Sequence, residues 1–140
     1  MSHTNPEFET TLQAINVWLA DLADRLGTSD RHDAYVALRA VLHALRDRLS
    51  VEHVAALSAQ LPMLVRGFYF EGWHPFGKQL KDRKEEDFLD HVVENLRGAP
   101  NADPRLVTHA VFSLLKRHIS RGELESLIAT LPHELKLMWK

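Results

Sequence analysis

The chain has 140 residues, of which 45% are hydrophobic and 26% are charged, and its 17 Lys and Arg against 19 Asp and Glu leave a formal net charge of −2. This balance excludes an intrinsically disordered chain and a strongly basic nucleic-acid platform. The absence of cysteine excludes disulfides, thiolate catalysis and Cys-based zinc sites. No apolar run is long enough for a membrane span and the N-terminus lacks a secretory signal, so we expect a cytoplasmic protein with one domain over residues 1–140.

The first predicted helix has apolar residues at alternating steps of four and three. Asn5 is its expected N-cap, Pro6 follows at the first helical position, and Gly27 ends it. Its apolar stripe is Phe8, Leu12, Ile15, Leu19, Leu22 and Leu26. Either Ser29 or Asp30 caps a second helix. The inward residues of that helix are Ala34, Leu38, Val41, Leu42, Leu45 and Leu49.

Two shorter helices complete the first half. Ser50 caps the third helix, and Pro62 opens the fourth. A second set of four helices follows from about residue 85. Its boundaries are marked by Gly98, Asp103, Pro104, a Ser120/Glu123 capping box and Pro132. No alternating β-branched run lies between turn signals, so the predicted fold class is all-α.

The two halves match each other, without a gap, when the sequence is shifted by half its own length. Identical pairs include Leu19/Leu89, Leu45/Leu115, Ser50/Ser120, Leu57/Leu127, Leu61/Leu131 and Pro62/Pro132. Repeats of this kind build one core from units that are marginal alone. We therefore expect two tandem four-helix repeats, one at about 8–70 and one at about 85–140, related by a pseudo-twofold axis.

The connector between the repeats, about residues 67–84, is rich in aromatic side chains. Phe68, Tyr69, Phe70, Trp73 and Phe76 fall within it, separated by glycines and a proline. Because loops are normally polar, the favoured interpretation is a lid over the seam between the repeats, with Trp73 and Phe76 in the core. The alternative is an exposed patch or pocket wall for a partner or ligand.

A contact site is predicted beneath this connector. Its expected residues are Arg66, Tyr69, Glu71 and Trp73. The rings would supply apolar contact. Arg66 and Glu71 would add polar specificity, or would pair with each other at the surface.

Catalytic and metal chemistry find little support in the residues. None of the nine histidines has a histidine at the matching position of the other half, so we expect surface or cap-adjacent histidines and no metal or other cofactor. Ser50 and Ser120 are better explained as caps than as nucleophiles. Arg46 and Arg48 end the second helix, where cations complement the helix dipole. Because this role explains the basic residues there, nucleic-acid binding is not expected.

Several segments resemble a known family. They are YVALRAVLHALRDRL (35–49), QLPMLVRGFYFEGWHP (60–75), EEDFLDHV (85–92), VFSLLKRHIS (111–120) and ATLPHELKLMW (129–139). Together they are similar to the bacterial family called domain of unknown function 2267. The resemblance implies a small, all-helical, cytoplasmic protein with a stress-related role, and it carries no catalytic residues.

Two functions remain open at this point. The first is a non-catalytic interaction or accessory module with a protein partner or a second copy of the chain as its target. The second is a small-molecule sensor with the aromatic connector as a lid between the repeats.

Overall fold

The computed structural model describes residues 5–97 and 102–140. These residues contain eight α-helices and no strand. The helices of the first half are α1 (Pro6–Leu26), α2 (Arg31–Arg46), α3 (Val51–Ser58) and α4 (Met63–Tyr69). Those of the second half are α5 (Glu85–Asn95), α6 (Pro104–His118), α7 (Arg121–Ala129) and α8 (His133–Leu137). The all-α prediction is confirmed.

Local capping explains where most of these helices begin. The side chains that accept a hydrogen bond from a first-turn backbone N–H are Asn5, Asp30, Ser50, Asp103 and Ser120. Each satisfies a donor that the helix cannot satisfy itself. Gly27 ends α1 in the left-handed region at φ 73°. Gly98, the predicted stop of α5, lies outside the described residues.

The predicted capping box at Ser120 is only half formed. Ser120 Oγ accepts from the N–H of Glu123 at 3.3 Å, as predicted. The N–H of Ser120 itself donates to Gln60 Oε1 at 3.1 Å, the place that the Glu123 carboxylate takes in a complete box. A residue of the first half therefore caps a helix of the second.

The core is built around α2 and α6 and takes apolar residues from both halves. In α1 the buried stripe starts only at Trp18. Phe8 is 57% exposed and Leu12 is 47% exposed, so the predicted apolar stripe of this helix does not face the core over its first turns. None of the described helices packs over the first turns of α1 closely enough to bury them.

The pairs of packed helices are nearly preserved when each helix is exchanged with its counterpart in the other half. The pair α1·α2 corresponds to α5·α6, and the pair α1·α6 corresponds to α5·α2. The pair α1·α4 corresponds to α5·α8. The pairs α2·α6 and α3·α7 map onto themselves. Two repeats about a twofold axis would give this pattern. The superposition of the halves and their union in a single domain stay predictions.

Candidate functional site

The connector leaves α4 through two tight turns. The N–H of Trp73 donates to Phe70 O at 3.1 Å, and the N–H of Gly77 donates to His74 O at 2.9 Å. Gly72 has φ 73°, a conformation that glycine adopts without the strain of a side chain. The chain then runs without helix from Lys78 to Lys84, and α5 begins at Glu85.

The aromatic residues of the connector divide between core and surface. Phe68 and Tyr69 are buried, while Phe70 and Trp73 are partly buried and pack against the core with their ring centroids 5.4 Å apart. Phe76 is fully exposed, at 101%. The prediction that Phe76 plugs the core is wrong, because its flanking turns carry its ring away from the helices. The connector is thus partly buried and partly an exposed patch.

The four predicted contact residues do not meet at one surface. Tyr69 is fully buried, and its hydroxyl donates to Val54 O at 2.9 Å. Burial raises the pKa of Tyr69 well above its ordinary value. Arg66 is exposed, but it donates to the carbonyls of Ser58 and Leu61 at 2.8 and 3.0 Å.

Glu71 and Trp73 have separate surroundings. The exposed Glu71 lies 3.6 Å from Arg39 Nε, so it pairs with α2 and not with Arg66. Trp73 is the only one of the four predicted residues that lines a cleft under the connector. Arg66 and Tyr69 hold helix ends and core together, which leaves Trp73 as the predicted residue best placed for contact.

The end of α4 is held by two buried side chains of α2. His43 Nε2 donates to Phe68 O at 2.6 Å, which places the ring proton on Nε2. Arg46 Nη1 donates to the carbonyls of Tyr69 and Glu71 at 2.7 and 2.8 Å. The carbonyls of Tyr69 and Glu71 lie at and just beyond the end of α4, where later turns of a helix no longer supply donors, whereas Phe68 O also accepts from the N–H of Glu71 at 3.2 Å. His43 and Arg46 therefore fix the start of the connector.

The far end of the connector is held by Arg48, which is 4% exposed. Its Nη1 donates to Ala44 O at 2.8 Å, and its Nη2 donates to Asp82 Oδ2 at 3.0 Å and contacts His91. Main-chain bonds add to this attachment, because the N–H of Leu80 donates to Asp47 O at 2.8 Å. The connector is thus tied to the end of α2 at its start, through Tyr69 and Glu71, and again near its far end, through Leu80 and Asp82.

Sequence reasoning missed these roles. It predicts Arg46 and Arg48 as cations that complement a helix dipole and His43 as a surface residue, whereas all three are buried. Besides nearby Asp47 and Ala44, they have partners that lie 23 to 43 residues further along the chain. One signal was available, because both His43 and Arg46 lie on the densely apolar face of α2.

A cleft of about 400 Å³ lies between the connector, the end of α2 and the start of α3. Its apolar walls are Leu49, Val51, Trp73, Pro75 and Leu80. The described residues that line it all come from positions 46–51 and 72–80, so the cleft belongs to the first half and the connector, not to the seam between the repeats.

The free charges of the connector are positive. Its two acidic residues are paired, Glu71 with Arg39 and Asp82 with Arg48. Lys78, Lys81 and Arg83 are exposed, and none of them is in an ion pair with another described residue. A locally basic surface therefore borders the cleft of a chain whose net charge is −2.

No group of three or more His, Asp or Glu in residues 5–97 and 102–140 is arranged to hold a metal ion. None of the helices in these ranges is both long and apolar enough to cross a membrane.

The sequence also matches a described family. The profile of the family described as "Uncharacterized conserved protein (DUF2267)" covers residues 15–138, which include the second part of α1, all of α2 to α8 and the whole connector. No curated protein matches the chain.

Proposed function

The chain belongs to the DUF2267 family of uncharacterized conserved proteins, and from the geometry of its connector we propose that it is a non-catalytic interaction module. Its target is an acidic segment of a partner protein that carries one apolar anchor side chain. A bacterial and cytoplasmic setting and a link to stress stay predictions from the resemblance.

The observation that carries this proposal is the exposed ring of Phe76 on a loop that is tied down at both ends. Because the ring of Phe76 is 101% exposed, a partner that covers it would remove its whole apolar surface from water. The loop around it is fixed by buried Arg46 and Arg48. Because little order has to be gained on binding, such a loop presents its ring at a low entropic cost.

The cleft supplies a place for the anchor. Trp73 and Leu80 on the connector face Leu49 and Val51 on the helical side. Val51 is 52% exposed, so apolar surface continues from the cleft to solvent. A volume of about 400 Å³ accommodates one large apolar side chain with room to spare.

Charge selects the partner. Lys78 lines the cleft, and Lys81 and Arg83 follow it along the connector. Unpaired cations around an apolar pocket favour a partner with acidic residues around its anchor, mainly by raising the association rate.

The test uses labelled synthetic peptides with one central leucine or phenylalanine flanked by aspartate and glutamate. Matched peptides carry lysine in the flanks or alanine at the anchor. We expect saturable binding of the acidic peptide alone, measured by fluorescence anisotropy, and weaker binding at higher salt.

Two variants address the surface, and each has a matched control. Phe76→Ala should weaken binding about tenfold or more, and Lys78→Glu should lower the association rate. Exposed Leu106→Ala and Lys116→Glu, both on α6, should leave binding unchanged. Equal binding of the acidic and lysine-flanked peptides, or equal loss in the control variants, would contradict the proposal.

A further inference from the structure

A second cleft, of about 450 Å³, lies in the other half of the molecule, among the start of α5, α6 and α8. Its walls combine charge with apolar surface. The apolar residues are Leu137 and Met138, and the polar ones are Glu85, Arg105, Thr108, His109, Glu134 and Lys140. No residue of this cleft takes part in the connector site.

Thr108 lines this cleft and is 1% exposed. Its hydroxyl has no hydrogen-bond partner among the described residues. A threonine within a helix commonly bonds to the carbonyl one turn earlier, and a buried hydroxyl without a partner is unfavourable. An unsatisfied buried hydroxyl at the wall of a polar cleft indicates a ligand that completes it.

The first half shows that the fold does not need an arginine or a threonine at positions 105 and 108, although Arg39, the counterpart of His109, is charged. In the alignment of the two halves, Thr108 corresponds to Leu38, Arg105 to Tyr35 and Met138 to Phe68. Leu38 is fully buried, and the rings of Tyr35 and Phe68 meet edge to face at 5.1 Å. The same position is filled by aromatic packing in one half and forms a polar cleft in the other.

We propose that this second cleft binds a small zwitterion, namely a free α-amino acid with an apolar side chain. Glu134 is in no ion pair with another described residue and suits the ammonium group. Arg105, paired with Glu85 at the rim, and His109 suit the carboxylate. Leu137 and Met138 would contact the side chain.

The test measures binding of L-leucine and L-methionine to the full chain by calorimetry and by amide chemical-shift changes. N-acetyl-L-leucine lacks the ammonium charge and L-leucine methyl ester lacks the carboxylate. We expect saturable binding of the free amino acids, with a Kd of about 1 mM or tighter, and about tenfold weaker binding of each blocked derivative.

Variants separate this cleft from the rest of the surface. Thr108→Val keeps the shape of the side chain, and Glu134→Gln removes one charge; each should weaken binding about tenfold. Thr108→Val should also raise the unfolding temperature without ligand, since it removes the unsatisfied hydroxyl. Glu125→Gln on α7 should leave binding of the free amino acids unchanged.

Each contrary result would overturn the proposal. If none of the four probes binds, the cleft takes no amino acid. If the blocked derivatives bind as well as the free amino acids, the cleft recognises apolar surface alone. If binding survives both Thr108→Val and Glu134→Gln, the ligand lies elsewhere.

Discussion

Arg48 places its guanidinium over the ring of Phe88, 4.9 Å from the ring centroid. The corresponding positions in the other half hold His118 and Trp18, whose rings are also 4.9 Å apart. In both halves the polar residue also contacts a second side chain on the helix that carries the aromatic ring. Arg48 contacts His91 in this way, and His118 contacts Asp21. The two halves thus share the spacing of these side chains but use different residue types at the matching positions.

Arg48 should be the most sensitive of the charged residues. Arg48→Met keeps apolar contact with Phe88 but removes the bonds to Ala44 and Asp82. Breaking a buried ionic contact of this kind should lower the free energy of unfolding by about 3 kcal/mol, measured by urea denaturation. The control is Arg121→Met, since the Arg121–Glu125 pair is largely exposed and should contribute nothing measurable. Equal effects of the two variants would show that Arg48 is not an anchor.

His43 should make stability depend on pH. Burial lowers the pKa of His43 below its ordinary value of 6.5, although the bond to Phe68 O opposes the shift. The folded protein therefore holds the imidazole neutral while the unfolded chain takes up a proton, so stability is complete above about pH 6.5 and falls below it. Urea denaturation at about pH 7.5 and about pH 5 measures the difference.

The matched variant for this effect is His43→Gln. Glutamine keeps an N–H donor for Phe68 O and has no charge at either pH, so the slope of stability against pH should become shallower. His133→Gln changes an exposed histidine and should leave the slope as it is in the parent protein. A slope unchanged by His43→Gln would assign the effect to another group.

Two glycines near each other should respond to alanine in opposite directions. At Gly72 the φ of 73° strains any residue with a Cβ, so Gly72→Ala should cost about 1 kcal/mol of stability. Gly67 lies within α4, and a Cβ there meets nothing within 4 Å. Gly67→Ala should therefore stabilise the protein by roughly 0.5–1 kcal/mol, because alanine has the higher helix propensity. Thermal unfolding of the two variants checks both signs.

Tryptophan emission should report on the connector. Trp18 and Trp139 are buried, whereas Trp73 is partly exposed at the cleft. Trp73→Phe should remove the long-wavelength part of the emission and most of the quenching by iodide. An acidic peptide bound at the cleft should shift the emission of the parent protein but not that of Trp73→Phe. A small metabolite that gives the same shift, when no peptide does, would favour the sensor over the interaction module.

Local signals made the helices predictable, whereas distant contacts made the site hard to predict. Asn5 and Ser50 act on a backbone N–H two or three residues away, so the sequence alone identifies them as caps. Arg46 at a helix end looks the same whether it is solvated or holds carbonyls 23 and 25 residues away. Phe76 follows no helical period, because glycine and proline surround it, so its exposure could not be inferred from spacing.

The bond from Ser120 to Gln60 has a consequence for how the molecule opens. The N–H of Ser120, the N-cap of α7, loses its acceptor when Gln60, just past the end of α3, moves, although the two residues are 60 positions apart. Fraying at the end of α3 therefore spreads to the start of α7, and deuterium exchange at the Ser120 amide reports on breathing of the opposite half.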